Sequence, residues 1–232
     1  MAGGFTHKLN PQAPLFATVP FQTAEYALSD FGKGDRISGV TKGQFSLIDI
    51  IRVLLGKSGP AHVWFTSWTA GIRDARTAAW LLQNGSMLSL KILTDQTFPT
   101  RQPKYCLEIL KMFGDRSIWC SNVHCKIALI HNDEFSFVVR SSMNLNKNKR
   151  FEQFDIDDCS SLLAWWMAHL EDIVGRLDPG FKFGSSKVER AFRASLKKVD
   201  EEKNKKTIDL GFGIQESDLD LGDPFDFVGG DR

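Results

Sequence analysis

Two short clusters hold the side chains best suited to chemistry. One is His124-Cys125-Lys126 at the head of the apolar stretch HCKIALIH; the other is Ser141-Ser142-Met143-Asn144 at the tail of the next apolar stretch, with Glu152 shortly beyond. Along a strand, residues two apart project from the same face. His124 with Lys126, and Ser142 with Asn144, therefore form two like-facing pairs. Brought to one end of a sheet they supply an imidazole for nucleophilic or acid–base work, a fixed cation and two neutral hydrogen-bonding groups. That set suits a phosphate: the imidazole attacks phosphorus, and ammonium, hydroxyl and amide hold its oxygens. Taken singly, His124 is a structural histidine and Lys126 a strand lysine with its stem on apolar surface.

Other chemistries fit less well. Cys120, His124, Cys125 and His131 have the residue types of a zinc site. Residues 124 and 125, however, point to opposite faces of a strand and cannot share one tetrahedral ion. A cysteine–histidine hydrolase built on Cys125 fails for the same reason. Asp155, Asp157 and Asp158 would suit a two-metal nuclease, but a solvated loop before a helix explains them better.

The elements that must position these groups follow from periodicity. A helix is expected from Ser46, a good N-cap, to Gly56, with Leu47, Ile50, Ile51, Leu54 and Leu55 on one face. A buried strand follows over 61–68, then a helix over 72–83 closed by Asn84-Gly85, a strand over 87–93, a helix over 103–113 and a short strand over 117–120. The HCKIALIH stretch and residues 134–140 form two adjacent strands around the turn His131-Asn132-Asp133-Glu134. An apolar helix over 162–177 buries Trp165 and Trp166. Strands alternating with helices argue for an α/β fold, a mixed central sheet flanked by helices. Ala128 and Ile130, added to Ile127 and Leu129, make the first hairpin strand apolar on both faces and so central, and the end of a central strand is where such folds place ligands.

The remaining chain is organised around that domain, expected over 35–180. Residues 1–34 read as an irregular arm, 187–206 as a basic amphipathic helix after a short linker, and 207–232 as an acidic, disordered tail. Among its 232 residues the chain carries a formal charge of +1, which hides an asymmetry: from Ile208 to Arg232 seven acidic residues face one basic residue, a net of −6 that leaves +7 on the rest. A basic body suggests a polyanionic partner. Lys147, Lys149 and Arg150 stand where a phosphate backbone would run past the second cluster; Arg73 and Arg76 are less specific. In the tail, Leu219, Leu221, Phe225 and Phe227 interleave with acids as in a peptide that docks on a protein partner; a shield over the chain's own basic face and a plain solubility tail are the alternatives. No apolar run reaches the length that spans a bilayer, and MAGGFTHKLNPQAPLF lacks the pattern of a signal peptide. The expectation is a cytoplasmic protein with no membrane partner, whose cysteines Cys106, Cys120, Cys125 and Cys159 form no structural disulfide.

The motif residues resemble those of the phospholipase D superfamily, whose signature is His-x-Lys, four residues, Asp, about six residues, then Gly-Ser-x-Asn, with an acidic residue downstream. His124-Cys125-Lys126 matches the first element, Ser142-Met143-Asn144 matches Ser-x-Asn, and Glu152 stands at the downstream carboxylate. Three features depart from the pattern. His131 occupies the Asp position with Asp133 two residues late, Ser141 replaces the glycine, and the spacer is about three residues longer. The wider stretches SGVTKGQFSLIDII and RSSMNLNKNKRFEQFDI look like phospholipase D-like proteins of bacteriophage and prophage genomes, which would place the chain in a bacterial host's cytoplasm. The resemblance implies phosphodiester hydrolysis without metal or other cofactor. His124 forms a phosphohistidine, Lys126, Ser142 and Asn144 stabilise the phosphoryl oxygens, and Glu152 orients a histidine. A superfamily member with one such motif implies a homodimer that pairs two copies of it. Nucleic acid is preferred to lipid as the substrate because no signal peptide or membrane-binding segment is read and the body is basic, and DNA is placed ahead of RNA. The alternatives are a phage-encoded nucleic-acid- or protein-binding protein that keeps the fold with little turnover, and a phospholipase.

Overall fold

The computed structural model describes residues 23–147, 149–181, 190 and 194. Residues 1–22 of the expected arm, the acidic tail and the basic helix lie outside the described residues, apart from Arg190 and Ala194, both helical.

The chain runs α1 (Ala24–Ala27), β1 (Arg36–Thr41), α2 (Leu47–Ser58), β2 (Ala61–Ser67), α3 (Ile72–Gln83), β3 (Met87–Asp95), α4 (Phe98–Arg101), α5 (Pro103–Phe113), a single 3-10 turn, β4 (Ile118–Ser121), β5 (Lys126–His131), β6 (Ser136–Ser141), β7 (Glu152–Asp158) and α6 (Ser160–Val174). The strands form one mixed sheet in the order β1-β7-β6-β5-β2-β3-β4. β2, β3 and β4 are parallel, and the β5–β6–β7–β1 half is antiparallel. The hairpin strand carrying Lys126 is the middle one of the seven, as its two apolar faces predict.

Burial explains the layering. Leu47, Ile50, Ile51 and Leu54 of α2 pack with Ala75 and Ala78 of α3 and Ile109 of α5 over Ala128, Ile130, Val139 and Ile156 on one face of the sheet. Leu162 and Leu170 of α6 cover Trp64, Leu93, Leu129 and Val138 on the other, and Trp165 and Trp166 pack partly buried against that second cluster. The result is a helix–sheet–helix sandwich.

Four expectations change. The α2 helix runs past Gly56 to Ser58 and ends at Gly59, whose φ of 73° suits a residue without a side chain. Residues 23–34 are no arm, because Thr23 caps α1 and Ala24, Leu28 and Phe31 are buried in the core. β1 and β7 were not expected as strands. Asp155, Asp157 and Asp158 thus lie on β7, not in a solvated loop: Asp157 is buried and paired with Arg36 and Arg140, and Asp155 accepts from Ser38. Finally, β5 begins at Lys126, so His124 and Cys125 precede the strand.

Candidate active site

The central hairpin builds the site at the carboxyl ends of β2 and β3. Pairing of β5 with β2 stops at Thr66↔Ile127. There the Thr66 hydroxyl takes over from the ladder, donating to the Cys125 carbonyl at 2.8 Å and accepting from the Ile127 amide at 3.1 Å. That substitution frees His124 and Cys125 from strand geometry, and both are exposed. The opposite-face argument against zinc therefore does not describe them. Among the described residues, no group of three or more His, Cys, Asp or Glu is placed to hold a metal ion.

Lys126 is only 8% exposed and pairs across the hairpin with Ser141. Its Nζ donates to the His124 carbonyl at 2.8 Å and stands 3.4 Å from Nδ1 and 3.5 Å from Nε2 of the His124 ring. An ammonium has donors and no acceptor, so the ring nitrogen is the acceptor in that contact. Burial lowers the Lys126 ammonium below the usual lysine value, while Cys125 and Glu152 act in the opposite sense. A cation so placed sees little screening water and acts strongly on any charge that develops beside it.

The second cluster arrives from the other side of the hairpin. Glu152 opens β7, and its carboxylate accepts from the Ser142 hydroxyl. The Gln153 amide in turn donates to Ser142 Oγ at 3.0 Å. Ser142 thus directs its proton to Glu152 and joins β6 to β7. Asn144 accepts from the Trp68 amide at 3.2 Å through Oδ1, which leaves its NH2 group without a partner among the described residues. The loop carrying Asn144 is anchored by buried Met143 and Leu145. Leu145 N donates to Ser67 Oγ at 3.1 Å, and Leu145 O accepts from Gly71 N at 2.7 Å.

The structure therefore brings together His124, Lys126, Ser142, Asn144 and Glu152 around the end of the hairpin. Lys147, Lys149 and Arg150 follow on the same loop, all exposed. His131 lies at the far end of β5, facing His62 of β2 with ring centroids 5.4 Å apart. Burial, with His62 and Lys91 close by, lowers the His131 imidazolium below the usual histidine value.

Sequence reading missed Trp68 and Arg101. Trp68 follows β2, half-buried, with its indole 6.0 Å from the His124 ring in an edge-on arrangement. Arg101, at the end of α4, lies over the indole with its guanidinium carbon 3.6 Å from the ring centroid. The signal available in the sequence was position alone: a tryptophan at the carboxyl end of a buried strand of an α/β sheet.

No family model matches the chain, and no curated protein matches it. Solved structures do resemble it. NucT from Helicobacter pylori is 15% identical with a TM-score of 0.45, the match covering 63% of this chain and 100% of that one. Nuc from Salmonella typhimurium, a phospholipase D family member, is 14% identical with a TM-score of 0.45, over 64% of this chain and 99% of that one. Polyphosphate kinase from Porphyromonas gingivalis is 14% identical with a TM-score of 0.48, over 74% of this chain and 28% of that one. These are distant likenesses of structure, and the chemistry of the site is read from its own residues.

Proposed function

We propose that the protein is a phosphodiesterase acting on nucleic acid through a phosphohistidine at His124. The observation that carries this reading is the buried Lys126 ammonium held against an exposed imidazole, with the open amide of Asn144 on the same rim. An exposed nucleophile and an immobile cation beside it are what an in-line attack on a phosphate anion requires.

In the proposed reaction a His124 ring nitrogen bonds to phosphorus as the bond to the leaving oxygen breaks. Lys126 and the Asn144 amide hold the phosphoryl oxygens. The leaving alkoxide takes a proton from a second imidazolium. That second ring then removes a proton from water, the water oxygen bonds to phosphorus, the phosphorus–nitrogen bond breaks, and an alcohol and a phosphomonoester leave. Among the described residues the other histidines, His62, His131 and His169, lie on β2, at the far end of β5 and on α6, so we assign the second imidazole to His124 of a second copy of the chain across a two-fold axis. Glu152 supports the pair through Ser142 and through its attraction for Lys126. Protein groups supply every proton and charge in this scheme, so it runs without metal. The exposed Lys147, Lys149 and Arg150 would carry the strand away from the centre.

The test is hydrolysis of DNA and of bis-p-nitrophenyl phosphate in excess EDTA, wild type against His124→Ala, with the mass fixed by sedimentation. EDTA-resistant turnover by a dimer, reduced at least about a thousandfold in the variant, is expected for loss of a covalent nucleophile. DNA bound equally by both proteins with no turnover would overturn the catalytic reading in favour of a binding protein.

A further inference from the structure

Arg101 is exposed, yet it is held in one pose from three sides. Its Nε donates to Thr97 Oγ1 at 3.0 Å, and Nη2 donates to the Trp68 carbonyl at 2.8 Å. The guanidinium carbon lies over the Trp68 indole, 3.6 Å from the ring centroid. Thr97 is itself fixed, since its amide donates to Asp95 at 2.9 Å and its hydroxyl donates to the same oxygen. Two of the five N–H donors of the guanidinium are spent on these contacts, and among the described residues no carboxylate pairs with it. A surface arginine ordinarily loses rotamer freedom only to gain a partner. Here the protein has arranged the side chain in advance and left most of its donors open.

Its place gives those donors a use. The guanidinium carbon and the His124 ring share the same indole as neighbour, and the legs of 3.6 Å and 6.0 Å laid end to end put them at most 9.6 Å apart. Nothing in that distance requires one phosphate to touch both groups. Two successive phosphates of one strand can do so, the first on His124 and the second on Arg101. Guanidinium matches phosphate in a planar, two-pronged contact, and stacking on indole keeps the fork aligned.

We infer that Arg101, stacked on Trp68, is a specificity residue that takes the phosphate adjacent to the scissile one in a nucleic-acid strand. The inference rests on the phosphodiesterase reading of His124 and narrows its substrate to an extended strand in preference to an isolated diester.

The test compares thymidine dinucleotides that share one diester and differ in a terminal phosphate: TpT, pTpT and TpTp. The wild type is expected to favour one phosphorylated form in kcat/KM, and Arg101→Ala and Arg101→Gln to lose about tenfold more on that form than on TpT. An equal loss on all three would make Arg101 a support for Trp68 and Asn144, and no loss on any would remove it from the site; either overturns the inference. A second measurement does not need turnover. In a His124→Ala background, the anisotropy of labelled oligothymidylate is followed against salt, with and without Arg101→Ala. Loss of one phosphate contact is expected to reduce the slope of log affinity against log salt by about one. A reduced slope in a protein that turns over nothing would keep the subsite and sink the phosphodiesterase; unchanged slope and affinity would sink the subsite itself.

Discussion

Asp74, in the first turn of α3, is 2% exposed, and its Oδ2 has no hydrogen-bond partner among the described residues. Burial raises its carboxyl from 3.8 to about 6, an effect that Ser46 opposes and Asp49 reinforces. A folded-state value above the unfolded one means that the native protein binds the proton more tightly. The stability tied to that proton is complete below 3.8 and is lost as pH rises through about 6. At about 1.4 kcal/mol per unit, ionising Asp74 costs roughly 3 kcal/mol at neutral pH, an upper figure for a site that can relax. Asp74→Asn is therefore expected to raise Tm at pH 7.5 by several degrees and to leave it nearly unchanged at pH 3.5. Thermal melts at the two values check this; an equal rise at both would trace the effect to hydrogen bonding and not to charge. The same cost of burial acts on Lys126, but there the ammonium has the His124 carbonyl and ring to donate to, so the charge is held where a phosphate would meet it.

Between elements, the packing of β1 on β7 shows how an unexpected strand is held. A Cβ on Gly39 of β1 would lie 2.3 Å from Cζ of Phe154, whose ring is 1% exposed and sits edge-on to Phe45 at 5.7 Å. That ring has no open space to move into, so Gly39→Ala should destabilise by about 1–3 kcal/mol in urea unfolding. In a Phe154→Leu background the added cost should shrink, because the shorter side chain vacates the clash. Equal costs in both backgrounds would locate the effect in the strand's backbone instead. The opposite face explains why β1 and β7 were illegible in sequence. Their second face carries Arg36, Ser38, Asp155 and Asp157, which satisfy one another across the strands, so the stretch reads as a polar loop until its partners are known. The four long helices α2, α3, α5 and α6 and the β5–β6 hairpin were legible because each buries a continuous stripe that shows as periodicity along its own segment. His124, Lys126, Ser142, Asn144 and Glu152 were legible as a spaced motif, although His124 proved to stand outside the strand. Trp68 and Arg101 were not legible, since they come from the ends of β2 and α4 and meet only in the folded sheet. No period or spacing within one element records such a pair.

At the scale of the whole molecule, the proposed chemistry needs two imidazoles, and among the described residues one chain places a single histidine at the site. If the second belongs to another copy, each catalytic centre draws one His124 from each subunit, and every such centre fails when either is missing. Co-refolding wild type with His124→Ala in varied proportions turns this into a count. Random pairing gives active dimers in proportion to the square of the wild-type fraction, whereas independent monomeric sites give activity in simple proportion to that fraction. The expected outcome is the squared dependence, together with specific activity that falls on dilution as dimers dissociate. A linear dependence at constant specific activity would show that one chain completes its own site, and the second proton-transfer group would then have to be sought within the same subunit. Glu152 would be the first candidate, because its carboxylate already meets the Ser142 hydroxyl and lies within electrostatic reach of Lys126. Glu152→Gln would separate these cases further. In a two-histidine dimer it removes a support and lowers turnover with the form of the pH profile retained; in a one-histidine site it removes the acid and abolishes the limb of the profile that the carboxyl controls.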